Sequence, residues 1–149
     1  MIFKKPELED LPILRKYFEG LEFYNSGYTP GMMYLWAPFY NIEYAIVDDM
    51  VVCRAGKDKK RYSYPIGQGD AKAVLDQIIK ECEKDGTDFE MYGVTKDIEE
   101  KMVALYGDVF EVAYDRDNAD YVYLSEKLIS LSGKKLHSKR NHINRFIAN

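Results

Sequence analysis

The chain has 149 residues, 46% of them hydrophobic and 31% charged, which suits one packed domain of ordinary size and excludes a disordered chain. A net charge of −4 and an isoelectric point near 5.3 exclude a general nucleic-acid binder. Lys4, Lys5 and Glu7 interrupt any apolar leader, and no stretch approaches the roughly 20 apolar residues of a membrane span.

In chain order, MIFKK reads as a short strand. Asp10 is placed to cap the helix LPILRKYFEGL (11–21), in which Leu11, Leu14, Phe18 and Leu21 recur at helical spacing. Residues 24–40, YNSGYTPGMMYLWAPFY, predict a loop or broken helix beneath which large side chains pack. EYAIVDD and MVVCRAG predict a hairpin around Asp48 and Asp49, and KRYSYPI a third strand. The clearest helix spans 70–85. Ala71, Val74, Leu75, Ile78, Ile79 and Cys82 form its buried stripe, and Gly86 ends it. DFEMYGV predicts a strand. Thr95 then caps a helix carrying Ile98, Met102 and Leu105, which Gly107 closes. FEVAY and DYVYL predict two more strands, and EKLISL a helical turn that Gly133 breaks. Residues 136–147 predict a last amphipathic helix with Leu136, Ile143 and Ile147 on one side. The order gives a mixed sheet of six or seven strands flanked by helices.

The chemistry begins with absences. The sequence holds no GxxxxGK[ST], GxSxG, HExxH or paired CxxC. Cys53 and Cys82 stand apart and read as reduced thiols, which places the protein in the cytoplasm. His137 and His142 are five apart, so on a helix their rings point about 140° from each other, and no metal site is expected. In PIGQGDAKAVL, Gly67 and Gly69 stand between a strand and a helix N-terminus. They suit a turn capped by Asp70, or a phosphate held by free backbone N–H groups.

The basic end is the strongest signal. From Lys127 onward there are six Lys or Arg and no acid, whereas residues 1–126 hold 15 basic and 25 acidic side chains. In a helix, Lys139, His142 and Arg145 share one side, while Arg140 falls on the apolar stripe and must snorkel or find a partner. Phe146 is the only aromatic among these cations, so a compact anion site fits better than a nucleic-acid surface. A solvated helix face is the plain alternative.

DYVYLSEKLISLSGKKLHSKRNHINRF (120–146) combines a tyrosine-rich strand, an acidic-to-Leu turn and a G-K-K-x-H-x-KRN-x-I-x-x-F run. With YLW (34–36), RYSYPIGQGDAK (61–72) and FEMYGVT (89–95), it resembles a bacterial family of unknown function. That family is similar to the C-terminal domain of phosphatidylglycerol lysyltransferases. The resemblance implies a GNAT-like fold, α/β or α+β, with a largely antiparallel splayed sheet, usually as two units in tandem. This chain would be one such domain, 1–149, the first unit, with 136–149 as a basic helix at the inter-unit link. The implied activity is acyl or aminoacyl transfer from an acyl-CoA or aminoacyl-tRNA donor. Implied partners are a second GNAT-like unit or a homodimer, and anionic lipid or tRNA. Lys139, Arg140, His142 and Arg145 would meet an anionic group, and Tyr121 and Tyr123 would border the cleft. Gly67 and Gly69 would hold a pyrophosphate, with Tyr64 replacing the Arg or Gln that opens the family motif. Such transfer needs no enzyme nucleophile, because positioning and backbone donors suffice. The alternative is a noncatalytic half that pairs or binds anions.

Overall fold

The computed structural model describes residues 1–21 and 25–148. Its contacts fall into two units, Met1–Tyr114 and Asp115–Asn149.

The first unit is an α+β layer structure. Lys4 exchanges both backbone hydrogen bonds with Tyr44 (3.0 and 2.8 Å), and the expected first strand is reduced to this single bridge. Pro6 follows two residues later and has no N–H to continue a ladder. Helix α1 is Leu11–Phe18, shorter than the 11–21 expected, and it buries Leu14 and Phe18. Asp10 does not cap α1 with its side chain. Instead its carboxylate turns back and accepts from Lys4 Nζ (2.7 Å) and the Glu7 N–H (3.0 Å). Burial pushes that carboxyl up, but the bonds from Lys4 and Glu7 outweigh it, and its pKa lies below the usual value.

Of the stretch 24–40, expected as a loop or broken helix, Ser26–Tyr28 form a 3-10 turn and Pro30–Tyr40 a continuous helix, α2, while Tyr24 lies outside the described residues. Pro30 fits the first turn, whereas Pro38, inside the helix, removes the N–H that would bond the Tyr34 carbonyl. Asn41 closes the helix in the left-handed conformation (φ 48°). The strands β1, Glu43–Val47, and β2, Met50–Ala55, form the expected hairpin. Asp48 and Asp49 both have positive φ (49° and 58°), the geometry of a two-residue type I′ turn, which short polar side chains tolerate.

Strand β2 is the centre of the sheet. It pairs antiparallel with β1, with β3 (Arg61–Tyr62) and with β4 (Ile66–Gly67). The expected third strand, 60–66, is split because Arg54 faces Tyr62 while Val51 faces Ile66. One extra residue therefore lies on the 62–66 side, a bulge that accommodates Pro65. Helix α3, Ala71–Asp85, buries Val74, Leu75, Ile78 and Cys82. Ala71 and Ile79, expected inside, are half-buried at the edges of the stripe. Helix α4, Lys96–Tyr106, buries Ile98 and Met102, and Thr95 precedes it without a side-chain cap.

The sheet is smaller than the expected six or seven strands: four strands are formed among the described residues. Residues 88–94 add a single parallel bridge, Tyr62 to Met91. Segments 110–114 and 120–124 form no strand. Alternation makes a segment able to pair, but a strand also needs a free edge to bond. The core lies on both faces of the sheet. Val51 and Cys53 meet α1 and α2 through Leu14, Phe18 and Met33. Met50 and Val52 meet α3 through Val74 and Ile78.

The second unit holds α5, Ser125–Ser130, a 3-10 turn at Lys134–Leu136, and α6, His137–Ile147. No helix among the described residues is long and apolar enough to cross a membrane.

Two predictions test this packing. Leu75 is fully buried, so Leu75→Ala should cost about 2–5 kcal/mol in urea unfolding. Asp10→Asn should lower stability near neutral pH. Because the folded pKa of Asp10 is depressed, the wild-type advantage should be complete above about pH 4. It should vanish as pH falls through the lower folded value, as unfolding curves across a pH series would record.

Candidate functional site

Gly67 and Gly69 lie in the turn that joins β4 to α3. A Cβ on Gly67 would stand 2.0 Å from the Asp49 carbonyl oxygen, and one on Gly69 would stand 1.9 Å from that of Asp48. The missing side chains thus let the turn lie against the backbone of the β1–β2 hairpin. The Gln68 N–H donates to Asp49 O at 3.1 Å and fixes that contact. At the start of α3, Asp70 Oδ1 accepts from the N–H groups of Lys72 (2.9 Å) and Ala73 (3.2 Å). The end of the helix dipole that would attract a phosphate already faces a carboxylate of its own chain. An open cleft of about 440 Å³ adjoins the turn, lined in part by Lys16, Tyr17, Asp49, Gly67 and Gln68.

On its other side, β3 meets residues 90–92: the Tyr62 N–H donates to Glu90 O (2.8 Å) and Tyr62 O accepts from the Tyr92 N–H (3.0 Å), while the Ser63 N–H still donates to Cys53 O (2.8 Å). Polar groups gather near this bridge. Ser63 Oγ accepts from the buried Cys53 N–H at 2.9 Å. Asn25 Nδ2 donates to Gly93 O at 3.3 Å, while its Oδ1 accepts from the Gly27 N–H. Gly93 has φ 65°, and a Cβ there would come within 2.6 Å of Asn25 Nδ2. Tyr28 is buried and sets its ring edge-on to Phe18. Burial pushes the Cys53 thiol up to about 12. Burial likewise raises Tyr28 and Tyr92. These groups stay protonated at neutral pH, so they can donate hydrogen bonds but do not supply a thiolate or a phenolate. Asn25, Tyr28 and Ser63 were not singled out from the sequence; the only signal was the NSG turn ahead of the aromatic run.

The basic helix α6 presents Lys139, His142 and Arg145 to solvent at three-residue steps along one side. Arg140 does something else. Its Nη1 donates to Leu131 O and to Gly133 O (3.1 Å). Leu131 (φ 47°) and Gly133 (φ 88°) both sit in the left-handed region, which turns those carbonyls toward the guanidinium. Arg140 thus holds the turn between α5 and α6, and the cation on the apolar stripe finds its partner in the backbone. His137 Nδ1 lies 3.4 Å from Asn141 Nδ2. Tyr121 and Tyr123 are exposed, on the segment that precedes α5. Lys139, His142 and Arg145 are therefore all exposed on α6, Arg140 is turned to a structural bond, and Gly67 and Gly69 belong to the other unit. Among the described residues no group of His, Cys, Asp or Glu is arranged to hold a metal.

A four-stranded antiparallel sheet with a bulge between Tyr62 and Ile66, and a glycine turn into a long helix, make the first unit α+β. The sequence model of the phosphatidylglycerol lysyltransferase C-terminal family matches residues 18–149, and the chain belongs to that family. The fold is also similar to a crystal structure of a conserved protein of unknown function from Bacteroides thetaiotaomicron VPI-5482. The two are 34% identical with a TM-score of 0.85, and the match covers 98% of this chain and 50% of that one. This chain therefore spans half the length of that relative. No curated protein matches.

The glycine turn gives a direct test. Gly69→Ala should destabilise the fold by about 1–3 kcal/mol, because its methyl must displace the Asp48 carbonyl. Asp70→Ala should cost about 1 kcal/mol through loss of the cap. Thermal unfolding of both variants measures these costs.

Proposed function

We propose that this chain is the anion-binding, pairing unit of a two-unit, GNAT-like aminoacyltransferase of its family, and that it does not bind coenzyme A. One contrast carries the reading. The turn and helix start that would receive a pyrophosphate are filled by the carbonyls of Asp48 and Asp49 and by the Asp70 carboxylate. Lys139, His142 and Arg145 of α6, by contrast, have exposed side chains. Lys139, His142 and Arg145 would hold a phosphate of the donor or acceptor, and Tyr121 and Tyr123 would border it. The half-length match to the Bacteroides protein supports a second unit. Such a unit would supply the missing sheet edge, and residues 110–114 and 120–124 would then complete the six or seven strands expected of a GNAT sheet.

A second reading, transfer by this unit itself, has one observation in its favour. The neutral hydroxyls of Ser63, Tyr28 and Tyr92 near the Tyr62–Met91 bridge could hold a substrate carbonyl oxygen.

Calorimetric titration separates the two. Coenzyme A should give no heat, whereas tRNA or phosphatidylglycerol vesicles should bind. Lys139→Ala/Arg145→Ala should weaken that binding and reduce its salt slope by about two phosphate contacts. A tight coenzyme A affinity that Gly69→Ala abolishes would overturn the proposal. So would binding of both anions that ignores the double substitution.

A further inference from the structure

We propose that the outer face of α2 pairs with the same face of a second copy of this chain, antiparallel about a two-fold axis. The inference goes beyond the α6 reading and is independent of it, because α2 belongs to the other unit. Helix α2 carries two apolar stripes. Met33 and Ala37 form the first and are buried in the core. Met32, Leu35, Trp36 and Phe39 form the second, at the i, i+3, i+4, i+7 spacing of a helix-packing face. They lie in solvent, 37%, 63%, 40% and 74% exposed, with Tyr40 at 59% beside them. The Trp36 ring centroid is 5.6 Å from those of Phe39 and Tyr40, so the rings make one continuous patch. The second stripe thus has no place in the core of its own unit.

Composition, size and shape select the occupant. From Asn25 to Ile42 the sequence holds no charged residue, in a chain that is 31% charged. A helix that lies on a membrane surface carries Lys and Arg on its polar face, and this one has none. Aromatic and Met side chains without charge are instead the make-up of a protein interface core. The five exposed side chains offer about 500 Å², so two copies bury about 1,000 Å², the lower bound for a specific protein contact. The face also holds its own complement. Phe39 stands near the C-terminal end of α2, and at the N-terminal end an open cleft of about 650 Å³ is lined in part by Leu8, Leu11, Pro12, Pro30 and Gly31. A Cβ on Gly31 would meet no atom within 4 Å, so the cleft is open along the helix. Antiparallel pairing lays Phe39 of each copy over the cleft of the other. The edges match in the same orientation. The Gly56 N–H donates to Tyr40 O at 2.8 Å and holds the turn carrying Lys57 and Asp58 at the C-terminal end. Arg15 and Glu19 line the cleft at the N-terminal end. Both ends carry both signs, so Asp58 of one copy can meet Arg15 of the other, and Lys57 can meet Glu19.

Sedimentation equilibrium of the whole chain, with Trp36 emission beside it, tests the pairing. Trp36 is the single tryptophan of the chain, so its emission reports on this face alone. The expected result is a reversible dimer with a Kd on the order of micromolar, and a blue shift of Trp36 that grows with protein concentration in the absence of lipid. Phe39→Asp, at an exposed position, should keep the native circular dichroism and weaken the dimer by more than about tenfold. Asp58→Lys should weaken it as well, and adding Arg15→Glu should restore it, because the reversed pair meets across the two copies. The double substitution Lys139→Ala/Arg145→Ala should leave the dimer in place, so failure at α6 and failure at α2 are read separately. A monomer at every concentration up to about 1 mM would overturn the proposal. A dimer that Phe39→Asp leaves intact would also overturn it, as would a Trp36 shift that arises only with phospholipid vesicles.

Discussion

The burial of β2 on both faces is the constraint on which the first unit depends. Met50, Val51, Val52 and Cys53 are all buried, and successive side chains point to opposite sides. One pair secures α3 and the other secures α1 and α2. A strand so enclosed must have its backbone groups satisfied within the sheet. The hairpin does this on one side. On the other, the bulge would leave the Cys53 N–H unpaired, and Ser63 Oγ takes it instead. One hydroxyl thus lets a two-sided core coexist with an interrupted strand.

The interruption has consequences for chemistry. It lets Pro65 sit inside the sheet region and directs the chain into the turn at Gly67 and Gly69. That turn is clamped to the hairpin by Gln68 and by carbonyl contacts that no side chain would permit. A glycine turn before a helix is compatible with an anion cradle or with a close backbone contact. Here the close contact uses the same glycines, and Asp70 uses the same helix N–H groups.

The second unit follows a different logic. Its cations divide by position on α6. Arg140 meets two carbonyls that left-handed residues expose, and it becomes part of the fold of that unit. Lys139, His142 and Arg145 are exposed on α6. Cations of one segment therefore differ in surroundings, and local backbone geometry decides which of them is drawn into the fold.

The sequence by itself determined the elements whose signal is local. Period-2 alternation and the Asp48–Asp49 pair specified the hairpin, and period-3.6 spacing with Asp70 and Gly86 specified α3. The block 120–146, with its KRN run, carries the resemblance to the family. Tertiary structure decided what depends on partners distant in sequence. Asp10 abandoned the cap because Lys4 and Glu7 offered stronger bonds. The aromatic run became a continuous helix because the core accepts Met33 and Ala37 from it. Residues 110–114 and 120–124 alternate like strands, but pairing requires an edge, and alternation does not reveal whether one is free. The glycines of the turn read alike for either role. Only the position of the Asp48 and Asp49 carbonyls, set by a hairpin some twenty residues earlier, decided how they are used.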